Sequence, residues 1–468
     1  MSERIRGSWH LQRDDVPFSG DVDALFAHLY GDRPEALLLD SAQRAYGMGR
    51  FSILGAPETP RDHLVELAPD GSVRVGGEPR AGSVWDVLAD LVDAHPVEPA
   101  DDLPFAGGYV GSIGYGAKDI GAARSGAGPD AQLLHLSRFL VLDHDARRLT
   151  AVAVGPAADG PEARAWIEGA LRRAAQTPAL PSPADPDPRG PATATVTRER
   201  YIADLGRIRG WLEAGDSYEA CYTYTLGFPF AGDAFAAYRR LRRRNPAPYA
   251  AFLRLPGREI LSCSPERYLR VSPAGWAETK PIKGTARRAG DPAADARAAR
   301  ELAADPKTRA ENLMIVDLLR NDLGRISLPG TVEVPHLMAV ESYASVHQLV
   351  TSVRAKLRPR DAAGVRAAEA LFPPGSMTGA PKRRTVELLD ALEAAPRGVY
   401  SGVVGCFSRC GSVDLSVVIR TAVIADGRAT IGTGGAITID SDPDQEADET
   451  VAKSDALLTA FGRTHPFA

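Results

Sequence analysis

Seven lysines, Lys118, Lys280, Lys283, Lys307, Lys356, Lys382 and Lys453, stand among 55 basic residues, so arginine is this chain's default cation. Arginine stays protonated in proteins, whereas a lysine whose pKa is lowered can act as nucleophile or base. Lys283 lies in Pro281-Ile-Lys-Gly-Thr285, at the expected end of a strand, where glycine lets a ligand approach closely. It reads either as a surface lysine at a turn or as a chemical group.

Carboxylates form a second set. Residues 308–323 have helical spacing, and Glu311 shares its face with Met314, Ile315 and Leu318. An acid on an apolar, inward-facing stripe must meet a metal, an arginine or a hydrogen-bond network. The last helix opens at Ser441-Asp442-Pro443 and carries Glu446, Glu449 and Lys453 on one face. That set is either dipole compensation with an i,i+4 pair, or a wall where Glu449 joins Glu311 on a hard divalent cation such as Mg²⁺. Two glycine-rich segments, Pro373–Lys382 and Gly432–Gly435, read as turns whose amides could cradle an anion. With Tyr400 and Arg420 they describe a pocket for a small polyanion. The residues alone point to an enzyme or binding protein for a small carboxylate ligand.

The elements that must position these groups fall on either side of a proline-dense stretch, Gln176–Pro191, expected to run extended over the surface. Residues 1–175 form an N-terminal region, 176–197 a surface linker and 198–468 the catalytic region. The N-terminal region shows short strand-like runs at 36–39, 51–54, 107–115 and 139–143. The C-terminal region shows helical periodicity at 198–214, 292–304, 308–323, 361–371, 381–393 and 443–461. Its strand-like runs lie at 219–229, 249–254, 259–263, 267–272, 277–282, 401–408, 413–424 and 428–437. Helices and strands cluster instead of alternating, which predicts an α+β fold with antiparallel sheet. There is no G-x-G-x-x-G after a strand and no P-loop motif.

A formal charge of −5 in 468 residues gives no electrostatic reason for nucleic acid or an anionic membrane as partner. No apolar run reaches the ~18 residues a bilayer demands, and Met1–Gly7 lacks the apolar core of a signal peptide. A cytoplasmic protein is expected. Cys221, Cys263, Cys406 and Cys410 form no C-x-x-C motif and read as reduced thiols. The run Arg239–Arg244 before Asn245-Pro246 reads as a solvated helix end.

Taken in order, several segments resemble the chorismate-utilising enzymes, a family that includes the anthranilate, aminodeoxychorismate, isochorismate and salicylate synthases. They are Gly107-Gly-Tyr-Val-Gly, Gly215-Asp-Ser-Tyr, Asn245-Pro-Ala-Pro-Tyr, Ser264-Pro-Glu-Arg, Pro281-Ile-Lys-Gly-Thr and Ala310-Glu-Asn-Leu-Met-Ile-Val-Asp-Leu. They continue in Pro374-Gly-Ser-Met-Thr-Gly-Ala-Pro-Lys, Asp414-Leu-Ser-Val-Val-Ile-Arg-Thr and Glu449-Thr450. The resemblance implies one large domain of two orthogonally packed antiparallel sheets flanked by helices, an α/β/β/α sandwich. The linker would then be a surface crossing inside one intertwined fold.

Within that family, isochorismate and salicylate synthases carry a water-activating lysine in the strand after Gly-Asp-x-Tyr, where this chain has Glu219. Anthranilate synthases usually have alanine at the centre of Pro-Ile-x-Gly-Thr, and aminodeoxychorismate synthases have lysine, as here. The resemblance therefore implies amination of chorismate at C4, with Lys283 attacking C2 and Glu266 as acid/base. It implies Mg²⁺ held by Glu311 and Glu449, with Glu446 beside them. Tyr400, Arg420, Thr285, Lys453 and the amides of Gly434 and Gly435 would hold the substrate's carboxylates, and His347 would face the site. Gln348 stands where many relatives have histidine, and Leu38-Leu-Asp40-Ser41 replaces the Leu-Leu-Glu-Ser of tryptophan-sensitive relatives.

No cysteine sits in a G-x-C-x-G elbow, so ammonia is expected from a separate glutaminase subunit. The product would lead to 4-aminobenzoate, for folate or a secondary metabolite, through another lyase. The competing expectations are an anthranilate or 2-amino-2-deoxyisochorismate synthase, and a non-catalytic chorismate-binding regulatory homologue.

Overall fold

The computed structural model describes residues 9–121, 126, 128–343 and 346–468, so the Met1–Gly7 segment lies outside the described residues. Alternating and doubly apolar runs such as Gly108–Ile113 and Glu219–Pro229 pair into two twelve-stranded antiparallel sheets among the described residues. Each sheet takes strands from both sides of the proline-dense stretch. In the first, Ala36–Asp40 pairs with Tyr249–Leu255; in the second, Gly108–Ile113 pairs with Val403–Ser408.

Three apolar cores arrange these layers. One lies between the sheets, where Leu37, Phe139 and Leu253 of the first meet Val110, Leu134 and Val404 of the second. A second packs the outer face of the first sheet against helices including Val22–Tyr30, Ala234–Arg244 and Pro443–Ala460. The third packs the second sheet against Val84–Asp93, Pro306–Ile326 and Ala363–Leu371. The result is helices, sheet, sheet, helices, which is the α+β sandwich expected. Leaving either sheet face bare would expose apolar surface worth about 25 cal/mol per Å².

Some elements differ from expectation. Residues 277–282 are not one strand: Trp276–Lys280 ends, and a new strand Ile282–Arg287 begins on another part of Val346–Lys356. Lys283 therefore sits within a strand, not at a terminal turn. Residues 413–424 break into Val413–Val417 and Thr421–Ala425 around Arg420, whose φ is +53°. Gly432–Gly435 is no turn; it lies inside strand Arg428–Ile437, paired with Glu219–Pro229. The sequence reading missed the hairpin of Glu333–Ser342 with Val346–Lys356.

The arginine run does end helix Ala234–Arg244, but it is not simply solvated. Arg239 donates to the Pro181 carbonyl at 2.8 Å, and Arg243 and Arg244 pair with Asp185 at 3.2 and 3.0 Å. Residues 177–190 carry neither helix nor strand. The arginines supply side-chain donors to a segment whose prolines remove its own N–H groups. All four cysteines are unpaired thiols.

Candidate active site

Glu219 opens strand Glu219–Pro229, and its backbone is held from several sides. The Tyr218 N–H donates to the Ala380 carbonyl and the Cys221 N–H to the Thr378 carbonyl, both at 2.7 Å. Ser217 Oγ donates to the Glu219 carbonyl at 2.9 Å. Gly379 lets these chains meet, since any Cβ there would overlap that carbonyl oxygen. Beneath them the buried Arg397 donates to the Met377 and Cys221 carbonyls at 2.6 and 2.8 Å and pairs with Glu393 at 2.6 Å. The segment 373–382 is thereby fastened to the strand that carries Glu219.

Opposite stands Lys283. Its strand pairs Ile282 with Val350 and Thr285 with Gln348, with an irregular register between. Gly284, at φ +83°, sits against the Thr308 side chain of helix Pro306–Ile326, where a Cβ would clash. The Lys283 side chain is 7% exposed and donates to Glu219 Oε1, itself on a side chain 1% exposed. Burial pulls the ammonium's pKa down, but Glu219 and Glu311 outweigh it and hold it above the ordinary lysine range. This differs from the lowered pKa that a nucleophilic lysine would need. The second oxygen, Glu219 Oε2, is buried without a hydrogen-bond partner.

Glu266 lies in the short break between strands Arg258–Ser264 and Arg267–Val271 and is buried. Burial pushes its pKa up to about 7, against a hydrogen bond with Ser376 and the charge of Lys283. It can therefore carry a proton near neutrality and release it to a leaving group.

Glu311 and Glu446 both face one lysine, Lys307. Helix Pro306–Ile326 is pinned by Thr351, whose Oγ1 donates to Asn312 Oδ1 at 2.6 Å. The adjacent Glu311 is pushed up to about 7 by burial, with Glu219 and Glu446 adding to the effect and Lys283 and Lys307 opposing it. Lys307 Nζ lies 2.7 Å from Glu446 and 3.9 Å from Glu311. Glu449 is half exposed and pairs with Lys453 at 2.7 Å. The ammonium groups of Lys453, Lys307 and Lys283 hold it below the usual carboxylate range despite partial desolvation. Among the described residues, no three His, Cys, Asp or Glu side chains converge as a metal cage.

Other expected residues divide between this site and elsewhere. Lys453 Nζ donates to the Gly434 carbonyl at 3.3 Å, and Arg420 donates to the Lys453 carbonyl at 2.6 Å. Burial lowers the Arg420 pKa while Tyr400 and Glu449 oppose that. The Tyr400 ring lies against Gly432, where a Cβ would strike it. Gly435 faces Glu446 Oε2. Thr285 is exposed. His347 is engaged at both ring nitrogens, Nδ1 with Ser342 Oγ at 2.7 Å and Nε2 with Asp295 at 3.0 Å. It ties its strand to helix Pro292–Ala304. Sequence reasoning missed the contact of Glu219 with Lys283, the Lys307 bridge and the Arg397–Glu393 pair. Two of these carried a local signal in their i,i+4 spacing, Lys307 with Glu311 and Glu393 with Arg397.

The geometry is that of an acid-rich cluster with three lysines, Lys283, Lys307 and Lys453, whose groups could hold an anion and move protons. Comparison with known proteins agrees. The family model described as chorismate binding enzyme matches residues 52–459. An aminodeoxychorismate synthase from Streptomyces pristinaespiralis is 44% identical over 98% of this chain, which spans 66% of that relative's own length. Aminodeoxychorismate synthase component 1 from Klebsiella aerogenes is 36% identical, covering 95% of this chain and 97% of its own. The crystal structure of anthranilate synthase component I from Streptococcus pneumoniae superposes with a TM-score of 0.75 at 28% identity, covering 89% of this chain and 93% of its own. A buried lysine–carboxylate site on a sandwich of two antiparallel sheets and this extent of similarity lead to one assignment: the chain belongs to the chorismate binding enzymes.

Proposed function

We propose that this protein aminates chorismate at C4 to give 4-amino-4-deoxychorismate, using ammonia from a separate glutaminase subunit. The observation that carries the reading is the placement of Lys283, a buried primary amine in the middle of Pro-Ile-Lys-Gly-Thr, held on Glu219. A glutamate at position 219 leaves no water-activating lysine on that strand, so attack by the Lys283 amine is the chemistry favoured.

In this reading the amine attacks C2 of chorismate, and Glu266, neutral up to about pH 7, gives its proton to the departing C4 hydroxyl. Ammonia then enters at C4 and ejects the lysine. Arg420 and Lys453 offer positive charge to the substrate's carboxylates, with the Tyr400 ring packed beside them. The name of the Klebsiella relative, a component 1, supports a partner subunit as the ammonia source. Four unpaired thiols favour a reducing compartment such as the cytoplasm.

Glu311 and Glu446, both within reach of the Lys307 ammonium, with Glu449 on the same helix as Glu446, would offer oxygen ligands to a hard divalent cation. Glu311 and Glu446 already share one positive charge, the Lys307 ammonium, whose place a divalent cation could take. Mg²⁺ bound there would neutralise these carboxylates and polarise the substrate's ring carboxylate.

The test is product identification from chorismate, Mg²⁺ and an ammonium salt. Formation of 4-amino-4-deoxychorismate is expected. Anthranilate or a 2-amino product would overturn the C4 assignment, and binding of chorismate without turnover would favour a regulatory homologue.

A further inference from the structure

A protonated lysine cannot attack carbon, and Lys283 is held protonated. Something must take that proton, and the pocket restricts what can. Lys283 is faced by Glu219, Glu311 and Cys221, and by Glu266 and Glu449. Burial raises the Cys221 thiol, so it stays neutral and offers no base. Glu266 is itself the proton donor. Glu449 is occupied by Lys453 and Glu311 lies toward Lys307. Among the described residues, the one carboxylate hydrogen-bonded to the Lys283 Nζ is Glu219.

We propose that Glu219 is the proton acceptor that arms Lys283, a role that rests on the C4-amination reading above. Transfer turns a buried ammonium–carboxylate pair into a buried amine–acid pair, which relieves two desolvated charges at once. The unpartnered Oε2 gives the proton a place to reside without breaking the contact through Oε1. The backbone clamp of Ser217, Thr378, Gly379 and Ala380 fixes the carboxylate against the amine.

The cycle balances. Lys283 passes a proton to Glu219, and its nitrogen lone pair forms the bond to C2. The C1–C2 π pair moves to C1–C6, the C5–C6 pair moves to C4–C5, and the C4–O bond breaks. The hydroxyl leaves as water with the proton of Glu266. Ammonia bonds to C4, the two π pairs return, and the C2–N bond breaks with its electron pair on Lys283. Glu219 returns its proton to the amine, and Glu266 recovers one from the new C4 ammonium. The sum is chorismate plus ammonia giving the amino product plus water.

Glu219→Gln tests this, because it keeps size and hydrogen bonding but cannot accept the proton. In the wild type the proton stays within the pair. In the variant it must be lost to solvent, so kcat near pH 6.5 falls on the order of 10²-fold or more. The ratio of variant to wild-type kcat, in which the Glu266 and Glu311 ionisations cancel, then climbs about tenfold per pH unit until Lys283 is deprotonated. Glu219→Asp recovers part of the rate and a level ratio. Chorismate affinity stays within about threefold in both variants, less than 1 kcal/mol, showing that the pocket is intact.

A Glu219→Gln enzyme that keeps the wild-type rate overturns the inference alone. So does one with a reduced rate whose ratio to wild type is level with pH, since that marks a merely structural residue. A wild type that makes no 4-amino product overturns the proposed activity and this inference with it.

Discussion

Glu266→Gln should make the protein more stable while removing its activity, and the gain should depend on pH in a calculable way. The native carboxyl is half-titrated at about 7, against 4.5 for a free glutamate, chiefly because it is buried. Between those pH values the folded chain holds a proton that the unfolded chain has released. Stability therefore falls as pH rises through the window, and the loss is complete above pH 7. A difference from 4.5 to about 7 corresponds to roughly 3 kcal/mol. Glutamine has the shape of the neutral acid and can keep the hydrogen bond with Ser376, but it never ionises. At pH 5 variant and wild type should melt within about 1 °C of each other. At pH 8 the variant should be more stable by up to ~3 kcal/mol; with an unfolding entropy of ~2.1 cal/mol/K per residue over the chain this is roughly 3 °C. Scanning calorimetry or dye-monitored melts of both proteins at pH 5, 6, 7 and 8 read the difference directly. A melting difference that does not grow with pH would refute the assignment of Glu266 as a proton-holding acid. Loss of turnover is expected at every pH.

Lys283→Ala should abolish C4 amination and leave Glu219 buried without its cation, at a cost of about 3–5 kcal/mol read by thermal melting; wild-type turnover in this variant would remove the covalent role. Arg397→Met removes the cation paired with the buried Glu393 and the donors to the Met377 and Cys221 carbonyls, so a drop of about 3–5 kcal/mol in unfolding free energy is expected; an unchanged melt would show that the pair is not structural. Chelation with EDTA should stop turnover, Mg²⁺ should restore it, and Glu446→Gln should raise the Mg²⁺ concentration needed about tenfold or more; activity indifferent to EDTA would remove the metal from the proposal.

Local chemistry was the legible part of this molecule. Strands 219–229 and 428–437 and helix 292–304 were readable to the residue, because apolar spacing and caps such as Asp291 and Pro292 act over a few residues. The hairpin 333–356 was not. Pro335, a left-handed Met338 and shifts of register break the alternation that signals a strand. Gly432–Gly435 looked like a turn by composition, yet tertiary crowding is what calls for small residues there: Tyr400 presses on Gly432 and Glu446 on Gly435. The site shows the same division. Lys283, Glu311 and Glu446 could be singled out as types that do chemistry, and Glu266 only through the resemblance carried by Ser264-Pro-Glu-Arg. The contact between Glu219 and Lys283 joins residues 64 apart on different sheets, and no short-range pattern encodes it. Nor does the pattern encode the sign of the Lys283 shift, which depends on two distant carboxylates outweighing burial.

The arginine-held crossing at 177–190 bears on how this chain could be divided. Strands 36–40 and 108–113 lie on one side of it, and their partners 249–255 and 403–408 on the other. A protease nick in the crossing would leave two fragments whose hydrogen-bonded edges and apolar faces are each completed by the other, so the nicked protein should stay assembled. Neither fragment expressed alone would have a closed core. Permuted or split versions of this protein should therefore be cut here and co-expressed, with recovery of the folded pair as the sign that both halves were present.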